Sequence, residues 1–143
     1  NMNSSEMNEK IANFLHLKFK ILGLDTVYGV WVTDDASENI IYSKSFNKEY
    51  YTIPYDSDWA QLMEVLKLVR DELNSIMQSN IDKCMEYNKK HNLDIGDDEY
   101  NDEFILQNAK FEAVKYPIDK SLESLDKQEM HKAVYDAIVL LTS

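Results

Sequence analysis

"DTVYGVWVTDDASENIIYSKSF", residues 25–46, decides the fold. Its first ten residues alternate β-branched and aromatic side chains. Val27, Gly29 and Trp31 point one way, and Tyr28, Val30 and Val32 point the other. Both faces carry bulk, so the segment reads as a central strand covered on at least one side. "DDASEN" (34–39) is turn chemistry, because short polar side chains can bond their own backbone there. "IIYSKSF" (40–46) then returns as a more polar strand, which closes a hairpin. A chain containing this hairpin cannot be all-helical, and everything on either side is read against it.

On the N-terminal side, Met7, Ile11, Phe14 and Leu15 recur at helical spacing. Asn3 followed by Glu6 has the spacing of a capping box. This predicts a helix over residues 4–18, broken before Gly23. On the C-terminal side, "NKE" (47–49) reads as a turn and "YYTI" (50–53) as a third strand. Pro54 ends that strand because it has no N–H to give to a ladder. The expectation is a three-strand meander built from 25–34, 40–46 and 50–53.

"YDSDWAQLMEVLKLV" (55–69) follows as a sharp corner into a long helix. Asp56 or Ser57 suits the capping position, where a side-chain oxygen accepts free first-turn N–H groups. Asp58 would sit in the first turn, where negative charge meets the positive end of the helix dipole. Trp59, Leu62, Met63, Leu66, Val69, Leu73, Ile76 and Met77 step by threes and fours, so a helix is predicted over 58–77. A second, shorter helix is expected over 78–91. Residues 94–103, "DIGDDEYNDE", hold six acids and no base, and read as a solvated loop. "FILQNAKFEAVKYP" (104–117) fits strand pairs or one helical face, and the strand reading is preferred. Asp126 and Glu129 have capping-box spacing ahead of a last helix carrying Met130, Ala133, Val134, Ala137, Ile138 and Leu141.

The predicted class is α+β. A small antiparallel sheet, the N-terminal meander, is covered by helices in the manner of an α/β/α sandwich. Residues 2–143 are taken as one domain, with the acidic stretch 92–103 as the insertion point. At 143 residues the chain can bury a real core, and 44% hydrophobic residues argue against wholesale disorder. The longest apolar block, "AIVLL" (137–141), falls far short of the roughly 20 residues that span a bilayer. No secretory signal is read, Cys84 is the sole cysteine, and the expected compartment is the cytoplasm. Fifteen basic against 26 acidic residues give a net charge of −11. Such a chain repels phosphate backbones, so direct nucleic-acid binding is disfavoured.

Several chemistries are missing. Gly23, Gly29 and Gly96 are scattered, so no phosphate cradle forms. His16, His91 and His131 lie far apart, and Cys84 with His91 makes one pair where zinc needs more ligands. A calcium-loop alignment starting at Asn92 puts Asp94 at position three and Glu103 at twelve. It also puts Gly96 where a ligand is needed and Asp97 where glycine is needed. Ser57 has carboxylates on both sides and no nearby histidine in sequence. No metal and no cofactor is therefore expected. Candidate binding residues are Tyr55, Asp58 and Trp59, two flat rings beside a charge. The plainer reading makes the acids helix starters and Trp59 a core anchor where helix meets sheet. Nine tyrosines, with Tyr42, Tyr50, Tyr51 and Tyr55 close to the predicted sheet, suit either an interface or a half-covered sheet.

"IPYDSDWAQLMEVLKLV", "MNEKIANFL" and "MHKAVYDAIVLL" together resemble small proteins of phages and prophages of gut Bacteroidetes, the group called the phage ABA-sandwich domain. The matching positions are Tyr55, Ser57, Asp58 and Trp59 at the corner, then Ala133, Val134, Tyr135, Ala137 and Ile138. They cover less than half of the chain. The hairpin and residues 79–117 are longer than the group's pattern. The resemblance implies fold and origin, and it carries no activity. The expected function is a non-enzymatic accessory protein that binds another macromolecule, a protein partner or a second copy. The alternatives are a small-molecule, nucleotide-like binder or hydrolase counteracting host defence, and an acidic nucleic-acid mimic.

Overall fold

The computed structural model describes residues 3–22, 28–45, 52–92 and 98–143. The protein is α+β, with a three-stranded antiparallel sheet in the order β1-β2-β3 and four helices among the described residues. The chain divides into two units, residues 1–65 with Thr142 and residues 66–141 with Ser143.

The first unit begins with α1, Ser4–Phe14. Its start is the expected box: Glu6 N–H donates to Asn3 Oδ1 at 2.9 Å, and Asn3 Nδ2 donates to Glu6 Oε1 at 3.3 Å. The helix buries Asn8, Ile11 and Ala12. It stops at Phe14, four residues short of the predicted end, because His16 turns into the left-handed region at φ 55°. The next residues, "LKFKIL", form strand β1, Leu17–Leu22. The sequence reading missed this strand, although its apolar–lysine alternation is the period-two signal.

β2 is Tyr28–Thr33 and β3 is Ile40–Ser45. The predicted hairpin is present, and β2 is the central strand. Val30, Trp31 and Val32 are all buried, so β2 is covered on both faces. Phe19, Trp31 and Tyr42 lie in register across the three strands and form one aromatic row. The Phe19 and Trp31 rings are 5.4 Å apart at 51°. The meander is therefore 17–22, 28–33 and 40–45, and the strand predicted at 50–53 is not its third member. Thr52 and Ile53 lie outside any strand, and Tyr50 and Tyr51 are outside the described residues.

The hairpin turn is held by one carboxylate. Asp35 Oδ1 accepts from Thr33 Oγ1 at 3.0 Å, from Ser37 N–H at 3.0 Å, and from Ser37 Oγ. Glu38, at φ 45°, reaches the neighbouring strand, where Lys18 Nζ donates to it at 2.8 Å and Lys20 Nζ at 2.5 Å. The two lysines share one face of β1, two residues apart. Their hydrogen bonds, Lys18 first, hold the Glu38 carboxyl down to about 2.

α2, Trp59–Lys90, is a single helix of 32 residues, roughly 48 Å long at 1.5 Å per residue. The sequence reading divided it near Met77 because Gln78, Ser79 and Asn80 interrupt the apolar stripe. No Gly or Pro lies in that interval, and the backbone continues through it. Asn92, at φ 54°, ends it, in the left-handed conformation that short polar side chains tolerate.

In the second unit, α2 is followed by α3, Asp98–Ser124, and α4, Lys127–Leu141. α3 replaces both the strand pairs predicted over 104–117 and the second half of the predicted acidic loop. Asn108, Phe111, Val114, Ile118 and Ser121 recur at steps of three and four on its inner side. Two of the five are polar, which hid the stripe. Pro117 lies inside the helix and leaves the carbonyl of Ala113 without its usual donor. α4 starts as predicted: Glu129 N–H donates to Asp126 Oδ1 at 3.0 Å. It packs on α3 and buries Met130, Ala133, Val134, Ala137 and Ile138.

Candidate functional site

The corner between the sheet and α2 is built from one carbonyl and two carboxylates. Pro54 C=O accepts from Ser57 N–H at 3.1 Å and from Asp58 N–H at 2.8 Å, which folds the chain back on itself. Asp58 then caps α2. Its Oδ1 accepts from Gln61 N–H at 3.1 Å, and its backbone C=O takes the first helical bond, from Leu62 N–H at 2.9 Å. The cap is therefore Asp58 itself, where the sequence reading put Asp56 or Ser57. Asp56 has a different task. Its Oδ1 accepts from Asn8 Nδ2 at 2.8 Å, tying the corner to α1 across 48 positions of sequence.

The three predicted binding residues separate at this corner. Tyr55 is 1% exposed and belongs to the core beside Ile53. Its Oη has no hydrogen-bond partner among the described residues, and burial pushes the phenol far above its ordinary range. It stays neutral at any working pH and presents nothing to a ligand. Asp58 is occupied by the cap. Its charge adds to burial in raising the Tyr42 hydroxyl, with burial the larger cause. Trp59 is half-buried as the first residue of α2, so the inward anchor expected at position 59 is Tyr55 instead.

A cleft lies at the corner itself, between it and α1. It has a volume of about 270 Å³ and is bounded by Ser4, Ser5 and Asn8 of α1 and by Thr52, Asp56 and Ser57. The lining offers hydroxyls, one amide and one carboxylate, groups that orient a small polar molecule through hydrogen bonds. Among the described residues, no group of three or more His, Cys, Asp or Glu is placed to hold a metal ion. Sequence reasoning did not single out Asn8, Ser4, Ser5 or Thr52. The one available signal was Asn8 itself, a polar residue on the same helical stripe as Ile11 and Ala12.

A second surface lies on α3. Leu106, Ala109, Ala113 and Tyr116 recur at steps of three, four and three, the a and d positions of a heptad, and all four are exposed. Leu106 is 73% exposed and Tyr116 is 62% exposed. Lys120, the next position of the row, sets its ammonium 5.5 Å from the Tyr116 ring centre. α3 thus carries apolar side chains on two faces, one toward the core and one toward water.

No protein family, curated protein or solved structure matches this chain. Among the described residues, no helix is long and apolar enough to cross a membrane.

Proposed function

We propose that the protein is a non-enzymatic accessory protein that holds a protein partner against the outer row of α3. The observation that supports the reading is the spacing of Leu106, Ala109, Ala113 and Tyr116. A helix face exposed only to water does not need an a/d row, and a partner helix does. The net charge of −11 favours a cationic partner over a second, equally acidic copy. The resemblance of the corner and of the last helix to phage and prophage proteins agrees with a role in a bacterial cytoplasm. The test is retention of a host protein by wild type and by Leu106→Glu/Tyr116→Glu, with circular dichroism and melting matched between the two. A protein held by wild type and released by the variant supports the reading. Equal retention, or none at low salt, refutes it.

A second reading rests on the corner cleft, whose hydroxyls and Asp56 suit a small polar ligand. A thermal shift with nucleotides or cyclic nucleotides that Ser57→Ala removes would favour it over the docking surface. No shift with either set would exclude these ligand classes.

A further inference from the structure

The two ends of the α2–α3 pair are held by different chemistry. Arg70 Nε lies 3.6 Å from Asp119, and Asn80 Nδ2 donates to Asn108 Oδ1 at 2.7 Å. Ten residues forward along α2 thus match eleven backward along α3, which fixes the two helices as antiparallel. Near the first contact the inner side of α2 is Leu66, Val69 and Leu73, all buried and all apolar. Beyond Met77 the inner side becomes Asn80, Cys84 and Asn88. Cys84 is 7% exposed and Asn88 is 5% exposed. Asn88 Nδ2 donates to the Cys84 sulfur at a long 3.9 Å, and Asn88 Oδ1 has no partner among the described residues.

A buried amide with an unmet oxygen weakens the packing around it, and a thiol is a weak hydrogen-bonding partner. The part-buried Asn80–Asn108 pair between the helices can set their register at a cost in stability. Of the apolar side chains of residues 80–90 Cys84 is buried, against Leu62, Val65, Leu66, Val69 and Leu73 in the first half of α2, so this stretch contributes less burial.

We propose that residues 80–90 of α2 form a locally opening segment. Asn80 and Asn108 specify its seating, and it parts from α3 while Leu66, Val69 and Leu73 remain packed. Opening uncovers Cys84, which makes the thiol a reporter of the motion. Partial unfolding of this kind occurs where apolar burial is thin, and it proceeds below the free energy of global unfolding.

The experiment measures labelling of Cys84 by an aromatic disulfide reagent in the whole protein across a series of urea concentrations below the unfolding transition. Amide hydrogen exchange of residues 80–90 is followed in parallel. Labelling is expected roughly a hundredfold faster than global unfolding permits, with a weak urea dependence that signals little newly exposed surface. Asn88→Leu, which removes the orphan amide, should slow labelling by roughly tenfold, and because it stabilises the closed state against both the opened and the unfolded chain it should raise the global midpoint as well. Asn80→Leu/Asn108→Leu should slow it similarly if the seating is retained. Labelling of the wild type that follows global unfolding in rate and urea slope overturns the proposal without any variant. So does hydrogen exchange over 80–90 as slow as that of residues 66–73. An Asn88→Leu protein that labels at the wild-type rate also overturns it.

Discussion

The bond between Asn8 and Asp56 is a long-range polar contact at the corner whose energy can be isolated. Asn8 is buried in α1, and its Nδ2 donates to a carboxylate oxygen at 2.8 Å. A hydrogen bond to a charged group contributes about 1.5–3 kcal/mol, more than a neutral pair. Asn8→Ala removes the donor and leaves Asp56 partly buried without it. It also removes a second interaction that Asn8 makes, so the single variant overstates the bond. Asp56→Ala takes the charged acceptor from the buried Asn8 amide, at a cost of about 1–3 kcal/mol. The double variant loses the bond once and strands neither partner. A double-mutant cycle from urea unfolding, followed by far-ultraviolet circular dichroism, should therefore give a coupling of about 1–2 kcal/mol. Each single variant should lose more than that. Additivity within about 0.3–0.5 kcal/mol would show that the corner and α1 are not energetically joined, and the account of Asp56 as a tether would be wrong.

Three further outcomes follow from named contacts. Tyr55→Phe removes a buried hydroxyl that has no partner, so stability should stay level or rise by up to about 1 kcal/mol, and a clear loss in the urea midpoint would reveal a missed hydrogen bond. Pro117→Ala restores a donor inside α3 and should raise stability by about 1–3 kcal/mol, read as a higher melting temperature; a loss would mean that the half-buried ring packs better than the backbone suffers. The Glu38 carboxyl is depressed from 4.5 to about 2 in the folded chain, so its contribution is present above 4.5 and fades as pH falls toward 2. A carboxyl titration by nuclear magnetic resonance should show that low midpoint at low salt. The midpoint should move upward in Lys20→Gln and in high salt, and one that ignores both changes would refute the lysine origin.

The parts of the fold that were legible are those whose signal is local. The β2–β3 hairpin shows in its alternation and in the Asp35 turn, and the starts of α1 and α4 show in side chains three residues from the amides they meet. β1 was hidden because "LKFKIL" follows α1 directly and is rich in Leu and Lys, which are also good helix formers. α3 was hidden by its own inner row, where Asn108 and Ser121 occupy core positions and Pro117 resembles a stop signal. The break expected near Met77 has the same origin, because Asn80 stands where an apolar residue belongs. The errors over α3 and near Met77 fall together on the polar rows of the helical unit, where local preference and packing disagree.

The corner illustrates how far spacing alone can carry a functional reading. Asp58 lies three residues before the amide it caps, so sequence could identify the chemistry even though it misplaced the cap by one or two positions. Asp56 looks equivalent in sequence and is not, because its partner is 48 positions away. Tyr55 looked like a ring available to a ligand, yet it fills the core beside Ile53, since the turn at Pro54 points the chain inward at that residue. Asp58, Asp56 and Tyr55 each have a task in the fold, so their dense grouping in sequence is accounted for without a ligand. The polar groups left facing the cleft are mostly small hydroxyls. Leu106 and Tyr116 of α3 are among the most exposed large apolar side chains of the described residues, and that contrast supports the proposal of a partner's helix over that of a substrate.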